Sequence, residues 1–223
     1  MGNMYDGDMR WLADFLTSSI GKKVQMAVTG LLLCGFLVAH LGGNLFLFKS
    51  RAAFNHYAEA LEANPLLPVA EIGLLVLFAV HIAMAIWTRI DNKRARPAGY
   101  QMYRSSGGRS WGSSTMTYTG LLLLVFLIVH LKSFRFNEEG EGDLYGLVVG
   151  AFRNPLYSWF YVLSMGGLAL HLSHGFQAGF QTLGFRHNKY TPVIQKLGVG
   201  FAVVVCLGFA SMPLWVLYAG GGK

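Results

Sequence analysis

The chain has 223 residues, 53% of them hydrophobic and only 13% charged, with a formal net charge of +7. A soluble domain carries about 25% charged residues, and here the apolar residues gather into runs. No Asp, Glu, Lys or Arg interrupts 24–48, 72–88, 114–131, 154–185 or 197–222, lengths close to or beyond the ~18–20 residues that cross a hydrocarbon core as a helix; without a polar face on any of them, a large soluble all-α protein is argued against.

Residues 1–10 are polar and the first apolar run is too long for a signal-peptide core, so no cleavable leader is expected. Residues 9–20 put Trp11, Leu12, Phe15 and Leu16 on one face, which predicts a short helix lying in the membrane interface. Five spanning helices follow, at roughly 24–48, 66–88, 113–134, 155–179 and 193–218. The expected fold is therefore an all-α integral membrane protein in one domain. Between the first two spans, 50–64 reads as a short helix ended by Asn64-Pro65, with His56, Glu59 and Glu62 broadly on one face. Cys34 and Cys206 lie inside apolar runs, as buried small hydrophobes rather than disulfide or metal ligands.

The connections alternate between two sides. One side holds twelve cations: Arg10, Lys22 and Lys23, then Arg89, Lys93, Arg94, Arg96, Arg104 and Arg109, then Arg186, Lys189 and Lys196. The other holds six, Lys49, Arg51, Lys132, Arg135, Arg153 and Lys223, together with the acidic cluster Glu138, Glu139, Glu141 and Asp143. Basic loops stay in the cytoplasm, which puts the N-terminus inside and the C-terminus outside. The inner face then suits anionic lipid and a docked partner better than nucleic acid.

Four of the seven histidines fall one to a helix on the first four spans: His40, His81, His130 and His171. A polar side chain at membrane depth is costly and marks function. One alone would read as a packing histidine; four on successive helices do not. Each sits in the second half of its helix, and the helices alternate in direction. His40 and His130 therefore lie toward the outside, His81 and His171 toward the inside; His40 and His81, about eight and seven residues from their helix ends, are roughly 10–12 Å from their surfaces at about 1.5 Å per residue. Two imidazoles facing across a gap are the axial ligands of a low-spin haem, which implies two b haems. His174, three residues after His171, is an alternative ligand, a propionate partner, or a cap on the helix end. Gly30, Gly35, Gly42, Gly43, Gly120, Gly166, Gly167 and Gly175 lie on the same four helices. They allow either a close porphyrin or close helix packing. Lys22, Lys23, Arg89 and Arg104 are candidates to meet the inner haem's propionates, and Lys132 and Arg135 the outer haem's; each also reads as an interfacial anchor.

The segments SSIGKKVQMAVTGLLL before and in the first span, HLGGNLFLF at 40–48, and HLSHGFQAGFQTLG at 171–184 followed by HNKYTP give the chain a specific look. With one histidine on each of four helices, it resembles the cytochrome b membrane-anchor subunit of bacterial succinate:quinone oxidoreductases, the five-helix, two-haem type. In that family the fourth ligand stands four residues before a glycine, and His171 with Gly175 fits that spacing. The resemblance implies a bundle of the first four spans around two haems. It also implies a bacterial cytoplasmic membrane, a flavoprotein subunit and an iron–sulfur subunit docked on the basic face. Electrons would pass between succinate or fumarate and a membrane quinone, usually menaquinone for two-haem anchors. This chain has no flavin fingerprint and no cysteine cluster of its own.

Rival readings are another dihaem cytochrome b, a transporter and an anchor without haem. The first characteristically puts two ligands on one helix, which does not occur here. A transporter wants intramembrane carboxylates, for which Glu71 is the one candidate. A second haem near the outer face has little purpose unless quinone reacts there, so His56, Glu59 and Glu62 are expected to line a quinone site, with Ala52, Phe54 and Tyr57 as apolar cover. The alternative is a solvated face there and a quinone site at the inner surface, near Ser18, Ser19 and Lys23.

Overall fold

The computed structural model describes residues 5–95, 111–137 and 142–221, with side chains from Arg10 onward. Every regular element among the described residues is helical. Helix α1 (Tyr5–Thr17) packs on the start of α2 and leaves Trp11, Leu12, Phe15 and Leu16 exposed, as an interfacial helix requires. Helix α2 (Ser19–Asn44) begins where the Ser18 hydroxyl accepts the Gly21 N–H at 2.9 Å, a cap worth ~1 kcal/mol. It tightens into a 3-10 turn at Leu45–Phe48. Helix α3 (Arg51–Glu62) is capped by Ser50, and α4 spans Leu67–Arg94. Helix α5 (Trp111–His130) widens into a π turn at Leu131–Arg135. Helix α6 (Leu144–Phe152) is capped by Asp143, and α7 (Pro155–Thr182) by Asn154. Helix α8 (Thr191–Ala219) stops at Gly220, whose φ of 77° suits a residue without Cβ.

Four of these are long and apolar enough to cross a membrane: Ser19–Phe48, Leu67–Arg94, Trp111–Arg135 and Thr191–Ala219. The chain is an all-α membrane protein. The fifth expected span, α7, matches them in length at 28 residues but carries Ser158, Ser164, His171, Ser173, His174 and Gln177. The reason is its position: α7 packs against α8, α5 and α2. Ser158 and Ser164 are fully buried and donate to the carbonyls of Phe152 and Phe160, which satisfies them inside the bundle. The helices run past the charge-free segments because Arg89–Arg94 and Ser19–Lys23 continue a helix at an interface as readily as apolar residues do.

Adjacent long helices are antiparallel, so α2, α5 and α8 start at one end of the bundle, the lower end, where α4 and α7 finish. The core lies between α2, α7 and α8, around Cys34, Met165, Leu172, Ala202, Val205 and Cys206. A second cluster closes the upper end under α3 and α6, around Leu47, Phe54, Tyr145, Val149, Phe152 and Tyr161.

The six helices α2–α7 contain a tandem repeat offset by 90 residues. TGLLLCGFLVAHL at 29–41 and TGLLLLVFLIVHL at 119–131 share nine of thirteen positions, and Asn64-Pro65-Leu66 recurs as Asn154-Pro155-Leu156. The structure follows the sequence. In each half a long helix ends in a non-α turn, a short helix caps the bundle, and a second long helix starts after an Asn whose side chain accepts the N–H two residues on, at 3.0 Å. Only α1 and α8 stand outside the repeat.

Ion pairs close both ends: Lys22 with Asp91 at 2.7 Å below, and Arg135 bidentate on Glu71 at 2.6 and 3.0 Å above. Arg51 also grips Asp143, tying α3 to α6. Hydrogen bonds from Asn55, Arg51 and the Gly146 N–H hold the Asp143 carboxyl below the usual carboxylate range. A carboxyl depressed in the folded state contributes stability above its unfolded value of about 3.9 and loses it as pH falls further. Heat resistance in detergent should therefore drop for the native chain as pH falls below about 4. Asp143→Asn should be weaker at neutral pH and show less of that acid step; an identical step in both would remove Asp143 as its source.

Candidate functional site

The four helical histidines meet as two pairs. The rings of His40 (α2) and His130 (α5) lie 5.8 Å apart, centre to centre, at 89°. Those of His81 (α4) and His171 (α7) lie 6.4 Å apart at 67°. Neither α2–α5 nor α4–α7 is among the main packing contacts of the bundle, so the histidines face one another across the spaces between helices. Each pair joins equivalent positions of the two repeats. It is His171, not His174, that faces His81.

The backbone fixes what each ring offers. The Thr29 hydroxyl donates back to the Gln25 carbonyl at 2.7 Å, and Thr119 to the Thr115 carbonyl at 3.0 Å. With that proton engaged, each hydroxyl is left as an acceptor. Thr29 Oγ1 lies 3.3 Å from His81 Nδ1, and Thr119 Oγ1 lies 3.3 Å from His171 Nδ1. The Met26 carbonyl, which only accepts, is 3.2 Å from the same His81 nitrogen. Both rings therefore carry their proton on Nδ1 and keep the Nε2 lone pair free, the state a metal-ligating imidazole needs. His130 Nδ1 is 3.2 Å from the Tyr161 hydroxyl, which is 2.9 Å from that of Tyr157. Phe36 stacks on His40 at 5.1 Å and its repeat partner Phe126 on His130 at 5.6 Å.

The geometry fits an axial pair. A metal–imidazole bond of about 2 Å, with the ring nitrogen about 1 Å from its ring centre, puts two axial rings about 6 Å apart. The donor set fits as well: two neutral imidazoles complete a six-coordinate iron whose other four nitrogens come from a porphyrin. Among the described residues no group of three or more His, Cys, Asp or Glu gathers for a bare ion; a porphyrin iron needs two. Gly30 lets His81 close in, since an added Cβ would stand 3.0 Å from His81 Cε1; at Gly120 the same atom would make ordinary contact with His171 Cε1 at 3.8 Å. Gly35, Gly42, Gly166 and Gly175 border open space, whereas Gly43 and Gly167 are packed by Tyr57 and Leu122.

The cations expected near propionates are placed variously. Lys22 is engaged by Asp91 and Arg135 by Glu71, while Lys23, Arg89 and Lys132 are exposed. Arg104 lies outside the described residues. His174 is half-buried, and its Nδ1 has no partner.

His56, Glu59 and Glu62 are exposed on α3. The apolar cover expected for them is directed elsewhere: Phe54 is buried against Tyr145, and Tyr57 stacks on Phe46 at 5.1 Å. At the other end Ser18 is the α2 cap, and Ser19 is exposed. One feature the sequence did not point to is an open cleft of about 730 Å³ between the π turn, α6 and the start of α7, lined by Ser133, Asn137, Asp143, Asn154 and Tyr157 among others. Through Tyr157 and Tyr161 it is connected by hydrogen bonds to His130.

Comparisons with family models, with curated proteins and with solved structures find no match to the chain.

Proposed function

We propose that this chain is the dihaem cytochrome b anchor of a bacterial succinate dehydrogenase or fumarate reductase, with α7 as the fifth membrane span. The observation that carries the reading is the pair of histidine pairs, each at axial-ligand spacing and each at one end of the bundle. His40 and His130 hold the upper haem, His81 and His171 the lower one. When bound, each haem supplies a one-electron carrier. The chain's own residues orient the ligands through Thr29, Thr119 and Tyr161, and the apolar helices exclude water from the space between them.

The lower end is cytoplasmic in this reading, because it carries twelve cations against six. A flavoprotein subunit and an iron–sulfur subunit dock there and pass electrons toward the upper end. Quinone, expected to be menaquinone, reacts at the upper end, where the cleft beside Tyr157 is concave and the α3 face is open to solvent. Tyr157 lines that cleft, and its hydroxyl, one hydrogen-bonded phenol from His130, is the group taken to donate to a quinone carbonyl. A cytochrome b of another quinone-linked respiratory enzyme would share the haem chemistry and differ in its soluble partners.

Succinate added to membranes containing the whole complex should reduce a b-type chromophore and then quinone. Tyr157→Phe should lower quinone-linked turnover about tenfold, the scale of one lost hydrogen bond, while succinate oxidation with an artificial acceptor is unchanged. Glu59→Gln and Glu62→Gln should leave both rates alone. Loss of quinone-linked turnover in either of those would move the reaction to the α3 face, and loss in Ser18 or Lys23 variants would move it to the lower end. Failure of succinate to reduce the chromophore would reject this enzyme class.

A further inference from the structure

Two buried side-chain atoms among the described residues have no hydrogen-bond partner: Thr88 Oγ1 and His174 Nδ1. Buried polar atoms are seldom left so, because each costs about 1–3 kcal/mol. The Thr88 case is the more telling. Thr17, Thr29, Thr115, Thr119 and Thr182 all turn their hydroxyls back onto the carbonyl four residues earlier. Thr88 sits in a helix that offers the same acceptor and does not use it. Its hydroxyl is buried and meets no partner.

The two atoms share a place in the fold. Thr88 follows His81 by two turns on α4, and His174 follows His171 by one turn on α7. Both helices run downward, so both groups lie on the lower side of the histidine pair. One turn below Thr88, Asp91 is held by Lys22 at 2.7 Å, which closes that end. Helix α5 adds Gly112, whose missing side chain leaves room for the His174 Cβ. Thr88 is seven residues from His81 and His174 three from His171, so each lies broadly on the face of its helix that carries the histidine, and both atoms are closed off from bulk solvent. A hydroxyl can donate, and so can the ring in its Nδ1–H tautomer, so one acceptor group would satisfy both atoms.

We propose that Thr88 and His174 form a carboxylate seat, donating to a propionate of the tetrapyrrole that His81 and His171 hold. The proposal rests on the dihaem reading and adds to it the residues that fix how the lower macrocycle is turned. Two donated hydrogen bonds lower the cost of holding a carboxylate at this depth. Lys22, already neutralised by Asp91, then lies beyond the seat as part of its lower wall.

The test uses the full complex on a His130→Ala background, which keeps only the lower haem, and reads the propionate bending band by resonance Raman. Thr88→Val and His174→Leu should each shift that band and weaken haem retention on dilution about tenfold, as for one hydrogen bond to a charged group. Thr88→Ser and His174→Asn, which keep a donor, should restore both. If His174→Leu does not assemble, the near-isosteric Thr88→Val decides alone. An unmoved band in Thr88→Val with the haem retained would overturn the seat and leave a buried water as the partner. A native complex without haem would overturn the dihaem reading instead.

Discussion

His40→Ala and His130→Ala are expected to lose the same haem, and His81→Ala and His171→Ala the other, each variant falling from two haems per chain to one. The rings that face one another are 40 with 130 and 81 with 171, and a low-spin iron that loses one of two axial imidazoles loses half of its protein ligation. The two pairs are at opposite ends of the bundle, so the remaining haem keeps both of its ligands. The measurement is haem content with the visible spectrum of each purified variant. Loss of one common haem on changing His81 and His130 would break the pairing. His174→Ala should still bind both haems, releasing the lower one more readily on dilution, because its ring is not the one that faces His81; absence of the lower haem there, with retention in His171→Ala, would reverse the assignment on α7.

Thr29→Val and Thr119→Val should each weaken the lower haem by about 10–100-fold, the usual effect of removing a group that orients a metal-bound histidine. Valine keeps the shape and removes the acceptor for Nδ1–H. Nothing then opposes the tautomer with its proton on Nε2, where the iron must bind. His81 also has the Met26 carbonyl at 3.2 Å, so Thr119→Val should do more harm than Thr29→Val. Thr115→Val is the control, since that hydroxyl bonds to the backbone of Trp111 and Gly112. Haem retention through repeated dilution separates these outcomes, and equal retention in all three variants would remove the threonines from the site.

Much of this was legible in the residues because membrane crossing imposes so plain a pattern. Charge-free runs located all five long helices, and alternation of direction sorted the four histidines into two levels. The ends were less legible. Helix α6 was not anticipated, although Asp143 before LYGLVVGAF is a cap before an apolar run. The π turn after His130 leaves no mark that periodicity detects. Thr29 and Thr119 went unnoticed because a threonine in an apolar helix usually satisfies itself on its own backbone, and these two do that as well. The signal that finds them is the repeat: the same Thr-Gly stands eleven and ten residues before His40 and again before His130. The quinone expectation on α3 depended on which way Phe54 and Tyr57 turn, and a helical spacing of three does not determine that. Phe54 is drawn into the upper core by Tyr145 and Phe152, while His56, Glu59 and Glu62 stay exposed.

The most direct test is the electronic spectrum and EPR of the purified native chain with its haem-to-protein ratio. Two b haems per chain are predicted, both low-spin, with the strongly anisotropic ferric signal that imidazole planes at 67° and 89° produce. No haem, a single haem, or a high-spin iron with one axial histidine would contradict it.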